Sequence, residues 1–279
     1  FGHDRGGLIG GFEHLGLAGV GTAPSAYALT IPHLAFAAFQ MMFAIITPAL
    51  ITGAFVERIS FRGFILFSLL WATLVYDPVC HWVWGAGGVL RELGALDFAG
   101  GTVVHITAGF SALTVARAIG PRRGFGKAVW EPNNIPFVVL GAGLLWMGWF
   151  GFNGGSALAA NGLAAHAVVT TNTAAAAAAL TWMALAWHDA RPSVLGMVTG
   201  AVVGLVAITP GAGYVTPLAA IPIGIAAAIV GYYAIVLIRG SAKVDDSLDV
   251  LACHGIGSTW GVLATGIFAS IGATGLLSG

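Results

Sequence analysis

The chain has 279 residues, of which 58% are hydrophobic and only 8% charged, with 42 glycines and a formal net charge of zero. A soluble domain usually carries about a quarter charged residues, and the balanced charge leaves no basic field for nucleic acid. Disorder, collagen and coiled coil are excluded by the apolar content, the absence of a Gly-X-Y period and the scarcity of Lys and Glu. Cys80 and Cys253 form no CxxC pair and no disulfide framework. The composition points to an all-α polytopic membrane protein.

A spanning helix needs about 20 apolar residues to cross a hydrocarbon core about 30 Å thick. A Gly-rich stretch, Phe1–Gly21, comes first and contains no signal peptide. Eight apolar runs follow. The first, Leu29–Phe55, carries His33 and the segment AFQMMF, which sets Phe39 and Phe43 one turn apart on one face. The second, Gly63–Tyr76, is followed by Trp82 and Trp84 near its outer end, where a Trp reads as an interfacial belt residue or as a π face for a cation. The third, Ala99–Ala118, is preceded by Asp97 and contains His105. The fourth, Ile135–Phe150, leads into WMGWFGFNGGS, which brings Phe152, Asn153 and Ser156 to the outer mouth on a backbone suited to a broken helix. The fifth, Ala157–Trp187, holds His166 in an alanine-rich stretch. The sixth, Val194–Ile208, carries Gly196, Gly200 and Gly204 at the spacing that lets helices approach closely in lipid. Pro217–Ile238 and Ser247–Ser270 complete the set, the last opening on Asp245, Asp246 and Asp249 and containing His254.

Charge placement supports the count. Arg58, Arg62, Arg117, Arg122, Arg123, Lys127, Arg191, Arg239 and Lys243 follow the odd-numbered spans, whereas only Arg5 and Arg91 lie on the other side. By the positive-inside rule the odd-numbered turns face the cytoplasm and both ends of the chain lie outside. The absence of an initiator Met and the span running nearly to Gly279 predict a piece of a longer protein.

Ionisable residues inside lipid are expensive and informative. The four acids Asp97, Asp245, Asp246 and Asp249 read as helix N-caps facing the positive end of the dipole. His3, His14, His81 and His188 fall in loops or interfaces and read as solvated, and His33 and His166 as polar residues satisfied between helices. His105 lies eight residues after Asp97, and His254 five after Asp249. Each imidazole is then about 8–12 Å into its helix, entering from opposite faces, so the two approach the midplane. An Asp-then-His pattern on oppositely directed helices is the mark of an inverted repeat, pairing spans one to three with six to eight and predicting two helices ahead of Phe1.

Ala38–Arg58, Trp82–Phe110, Gly148–Ser156, Ile208–Tyr214 and Val244–Gly257 closely resemble the Amt/Mep/Rh family of ammonium transporters, most specifically in GALDFAGGTVVHI and GWFGFN-G-S. The resemblance covers nearly the whole chain and implies an ammonium-transporter fold with about eight of eleven transmembrane helices. It also implies roles by position. Trp84, Phe43 and Ser156 match an outer ammonium recruitment site, with Asp97 as the acid nearby and Phe39 stacked above. Phe43 and Phe152 match the gate, and His105 and His254 the twin pore histidines. The segment between Trp84 and Asp97 is one residue longer than the family pattern.

The resemblance further implies a multi-pass protein of the plasma or inner membrane and a homotrimer with one pore per subunit. It implies a PII-type regulator on the cytoplasmic face, ammonium or ammonia as substrate, and no cofactor, metal or catalytic centre. A membrane sensor sharing the same binding parts is the alternative. A haem carrier using the two histidines as axial ligands is a weaker one. A retinal pump is excluded because Lys127 and Lys243 both fall in loops.

Overall fold

The structure, a computed structural model, describes residues 1–127, 130–189, 191–241 and 244–277; Lys243 and Gly279 lie outside the described residues. A short hairpin (β1, Asp4–Arg5; β2, Ile9–Gly10) precedes the helices. The helices are α1 (His33–Ile51), α2 (Phe61–Trp71), α3 (Asp77–Trp84), α4 (Val89–Glu92), α5 (Thr107–Ile119), α6 (Ile135–Gly155), α7 (Gly162–Asp189), α8 (Val194–Ile208), α9 (Pro217–Ser241) and α10 (Gly257–Phe268). Among the described residues seven helical segments are long and apolar enough to cross a membrane, and α8, with 15 residues, is a shorter apolar helix. The apolar runs seen in the sequence therefore correspond one for one to helices, seven of full spanning length.

Their limits differ in places. The second span does not stop at Tyr76 but continues through α3 to Trp84. A proline ordinarily ends or kinks a helix, yet a π-helical turn, Ala72–Tyr76, widens the helix just ahead of Asp77 and Pro78. That turn relieves the clash between the proline ring and the preceding carbonyls. The fifth span begins at Gly162 instead of Ala157, and the third and eighth begin with π turns at Gly101 and Leu251.

Lipid tails are as apolar as leucine, so spans are held together by close packing and internal hydrogen bonds. The outward face of α6 keeps Leu140, Leu144 and Met147 exposed, as a lipid-facing helix should. The glycine stripe of α8 does the opposite. A Cβ on Gly200 would lie 2.5 Å from Trp182 Cβ, and one on Gly204 2.6 Å from the Ala174 carbonyl oxygen, so α8 presses its backbone into α7. The tightest crossing is between the third and eighth spans, where a Cβ on Gly109 would sit 2.1 Å from the Gly255 nitrogen.

Those two spans obey the inverted repeat in detail. The loop before the third is anchored by Phe98 N donating to Pro210 O (2.9 Å), just beyond α8. The loop before the eighth is anchored by Leu248 N donating to Gly53 O (3.0 Å), just beyond α1. First and sixth spans thus play equivalent parts, as the repeat requires.

At the end predicted to be cytoplasmic, Arg58 and Arg122 converge on the buried Asp245, and Arg239 pairs with Asp249. Burial alone would raise the pKa of Asp245, but the bonds from Arg122 and the charge of Arg58 outweigh it and hold the carboxyl below its ordinary value. Asp245 and Asp249 are therefore ion-pair partners and not helix caps. His81 likewise differs from expectation: it is buried, not solvated, with Nε2 2.8 Å from Asp4 Oδ1, and that bond lowers the pKa of the Asp4 carboxyl. His166 is satisfied between helices as expected, its Nε2 2.7 Å from Val215 O.

Gly109→Ala is expected to destabilise the protein by about 1–3 kcal/mol through overpacking against backbone. Gly148→Ala, with nothing within 4 Å of the added carbon, should leave thermal unfolding in detergent unchanged.

Candidate functional site

The site begins with Asp97. Its carboxylate accepts from four successive backbone N–H groups: Gly100 and Gly101 at 2.7 Å on Oδ1, Thr102 at 2.8 Å and Val103 at 3.2 Å on Oδ2. These are the orphan donors of a helix start, here satisfied by one side chain although the helix begins below the surface. Gly100 is needed at this point because its φ is +113°. The carbonyl of the same aspartate accepts from Trp84 Nε1 at 2.8 Å. One residue therefore fixes both the start of the His105 helix and the plane of the indole.

The eighth span repeats the cap from the other face. Asp246 Oδ2 accepts from Leu251 N at 2.7 Å. Asp246 precedes His254 by eight residues, the separation of Asp97 from His105, so Asp246, and not Asp249, is the true counterpart. Asp249 has φ +56° and turns its carboxylate to Arg239.

Between the outer surface and the histidines lies a cavity of about 280 Å³, lined by Phe39, Phe43, Trp84, Asp97 and Ser156 among others. Phe43 meets Trp84 edge-on, with centroids 5.5 Å apart, and Phe39 meets Phe43 at 4.9 Å. The Ser156 hydroxyl donates to Phe152 O at 2.8 Å. Its proton is thereby committed, and its oxygen lone pairs remain to accept. The Asp97 carboxylate is engaged with backbone, so a cation in this cavity would feel its charge without touching its oxygens.

Phe43 and Phe152 close the floor, their centroids 4.5 Å apart and planes tilted by 42°. Immediately beyond is His105, 5.9 Å from Phe152 and stacked on Trp149 at 5.4 Å and 19°. His105 and His254 stack at 5.1 Å with their Nδ1 atoms 3.1 Å apart. An Nδ1 to Nδ1 bond needs one donor and one acceptor. One ring therefore carries its proton on Nδ1 and the other, if neutral, on Nε2. The outward Nε2 positions of a neutral pair are thus one acceptor and one donor, and among the described residues His105 Nε2 has no partner. Both histidines sit on the π turns of their helices, and such turns are frequent at functional positions.

The structure thus brings together most of the predicted site residues: Trp84, Phe43, Ser156 and Asp97 around the cavity, Phe152 with Phe43 at its floor, and His105 with His254 below. Phe39 also lines the cavity, although its ring meets Phe43 and not Trp84. Asn153 is the exception. It does not face the outer mouth but is buried against α7, donating to Thr171 Oγ1 at 2.8 Å. Trp82 also turns away, its Nε1 bonded to Leu8 O. Sequence reasoning missed Trp149, whose position one turn before Phe152 was the available signal. It is held by Nε1 donating to Thr209 Oγ1 at 2.9 Å. Among the described residues no group of three or more His, Cys, Asp or Glu could hold a metal.

The Ammonium Transporter Family model matches residues 1–279. An ammonium transporter of Bacillus subtilis is 51% identical over 278 residues, covering 98% of this chain and 68% of that protein. The crystal structure of Saccharomyces cerevisiae Mep2 superposes with a TM-score of 0.89 at 39% identity, covering 95% of this chain and 60% of that one. A structure described as a sensor Amt protein superposes with a TM-score of 0.87 at 34% identity, over 96% of this chain and 68% of that one. The chain therefore spans about three fifths to two thirds of the length of these relatives.

Asp97→Asn leaves a single oxygen to face four N–H donors. It is expected to lower stability by about 1–3 kcal/mol, read as thermal unfolding in detergent, while the Trp84 indole keeps its acceptor in the backbone carbonyl of the same residue.

Proposed function

The chain belongs to the ammonium transporter family, and we propose that the protein conducts ammonium nitrogen across the membrane by recruiting the cation outside, stripping its proton and passing neutral ammonia along the paired histidines. The observation that carries this reading is the 3.1 Å contact between the Nδ1 atoms of His105 and His254, directly beneath the Phe43–Phe152 pair.

The difficulty is to admit ammonium while rejecting K⁺, an ion of similar size. In the outer cavity Trp84 and Phe43 offer π density to either cation. Ser156 distinguishes them, because its oxygen accepts a hydrogen bond that only an N–H can donate. The buried charge of Asp97 favours any cation and so adds affinity without selectivity. Past the phenyl rings the surroundings are apolar, and an ion with no partner there would carry a large desolvation penalty. Loss of the proton removes most of that penalty for ammonium, and K⁺ has no equivalent escape.

The neutral histidine pair suits ammonia. Its acceptor Nε2 takes an N–H from the molecule, and its donor Nε2–H gives to the nitrogen lone pair. When the bare Nε2 of one ring takes the proton that ammonium loses, the shared proton passes from that ring's Nδ1 to its partner's, and the partner releases its own Nε2 proton, the two rings exchange roles and the pair stays neutral, so it is a relay that works from either side. The same resemblance underlies the proposed homotrimer and a PII-type regulator at the arginine-rich face. A sensing role is the second reading, motivated by the likeness to a sensor Amt structure, and the two are separated by whether purified protein in vesicles moves substrate.

Replacing His254 with Ala should change methylammonium uptake and ammonium-evoked current by about tenfold. If both selectivity and current stay as they were, the pair has no part in conduction. Ser156→Ala should raise the KM for ammonium about three- to tenfold with little effect on competition by K⁺; equal losses for both cations would refute the role of the hydroxyl.

A further inference from the structure

The inverted repeat makes Leu96 and Asp245 equivalent, each one residue ahead of a capping aspartate. Only the cytoplasmic copy is charged. The repeated frame therefore does not require an acid there, and Asp245 is an addition to it.

That addition is heavily connected. The Asp245 side chain is 1% exposed. Arg122 holds it through Nη2 at 2.8 Å, Nε at 3.0 and 3.1 Å, and its own backbone N–H at 2.7 Å. Arg58 Nη1 lies 3.5 Å from Oδ2, while its Nη2 donates to the Asp245 carbonyl at 2.6 Å and to Ser247 Oγ at 3.3 Å. The same guanidinium donates to the carbonyls of Ala54 and Gly120. Three cytoplasmic ends, of the first span, the third span and the loop into the eighth, are stapled at one point.

We propose that the Arg58–Asp245–Arg122 clasp is a positioning device for His254, fixing from the cytoplasmic end the height and rotation at which that ring meets His105. This rests on the twin-histidine reading above. The stretch from Asp245 to His254 has little slack. Leu248 N is bonded to Gly53 O, Asp249 is paired with Arg239, Leu251 N is bonded to Asp246, and Cys253 N is bonded to Asp249 O at 2.9 Å. A displacement at Asp245 therefore passes along the segment to the imidazole.

The two histidines also differ in support. His105 is backed by the Trp149 ring, but among the described residues His254 stacks on no ring other than His105. Its placement comes from its own helix, and the helix takes its placement from the clasp. A buried ion pair is a weak source of net stability but can be a strong source of register.

The test is a double-mutant cycle on the intact protein in proteoliposomes, with methylammonium uptake normalised to folded, reconstituted protein. Asp245→Asn should lower the maximal rate about three- to tenfold with KM unchanged, because the outer cavity is untouched. In a His254→Ala background the same change should alter the rate by less than about twofold, since a device acting through a ring has nothing left to position. Effects that multiply independently, an unchanged rate in Asp245→Asn, or a loss expressed in KM would each overturn the proposal. Arg122→Lys, which keeps the charge but loses the two-pronged grip, carries the same cycle if Asp245→Asn does not fold. A His254→Ala protein that transports normally would overturn the twin-histidine reading and this inference with it, whereas independent effects alongside a defective His254→Ala would overturn this inference alone.

Discussion

Four consecutive backbone N–H groups converge on the carboxylate of Asp97, and the placement of the site residues depends on that convergence. A helix that starts inside a membrane exposes its first donors where no water can answer them, and each unanswered donor would cost several kcal/mol. Asp97 on one side and Asp246 on the other supply the missing acceptors. With the starts satisfied, two helices can run in from opposite faces, cross where Gly109 meets Gly255, and set their histidines in contact. The glycine crossing serves the same end, letting the two backbones approach closely in the helices whose rings bond at 3.1 Å.

On the proposed reading, the order of chemical environments along the path does the sorting. The outer cavity offers π faces, one hydroxyl oxygen and a buried negative charge, and it suits a cation that can donate hydrogen bonds. The Phe43–Phe152 pair ends that environment abruptly. Beyond it the available partners are imidazole nitrogens in a donor–acceptor pair, which suit a neutral molecule with both N–H groups and a lone pair. The selectivity proposed here comes from the mismatch between consecutive environments: an ion suited to the first is penalised in the second unless it can shed its charge between them.

Much of this was legible in the sequence, for physical reasons that also explain the failures. Apolar runs and charge asymmetry located the spans because lipid enforces both. The histidines stood out because an ionisable group in a span demands a reason, and the motifs around Trp84, Phe152 and Ser156 carried the rest. The π turn at Ala72–Tyr76 was hidden, because a proline after an acid ordinarily ends a helix and nothing local announces the widened turn. The assignment of Asp249 as the partner of His254 failed because three acids lie within five residues and only the fold separates the cap, Asp246, from the two ion pairs. Strict eight-residue spacing from Asp97 to His105 would have selected Asp246. Asn153 and His81 were misplaced because polarity alone does not say which neighbour satisfies a side chain; Thr171 and Asp4 are 18 and 77 residues away.

The departures from symmetry are as informative as the symmetry. A perfect inverted repeat would present the same mouth on both faces and could not distinguish a side where substrate is captured from a side where it is released. The outer half has an aromatic cavity with Ser156 at its edge and Trp149 behind His105. The inner half has instead a buried acid between two arginines and a histidine whose only ring neighbour among the described residues is its twin. Charge that would bind the cation thus sits beside the cavity on one face, while on the other it is consumed in joining helix ends and is closed to a passing ion. On the proposed reading, capture rests on aromatic faces and the free lone pairs of Ser156, whereas the inner acid is already held between two arginines and offers a passing molecule nothing to remain bound to.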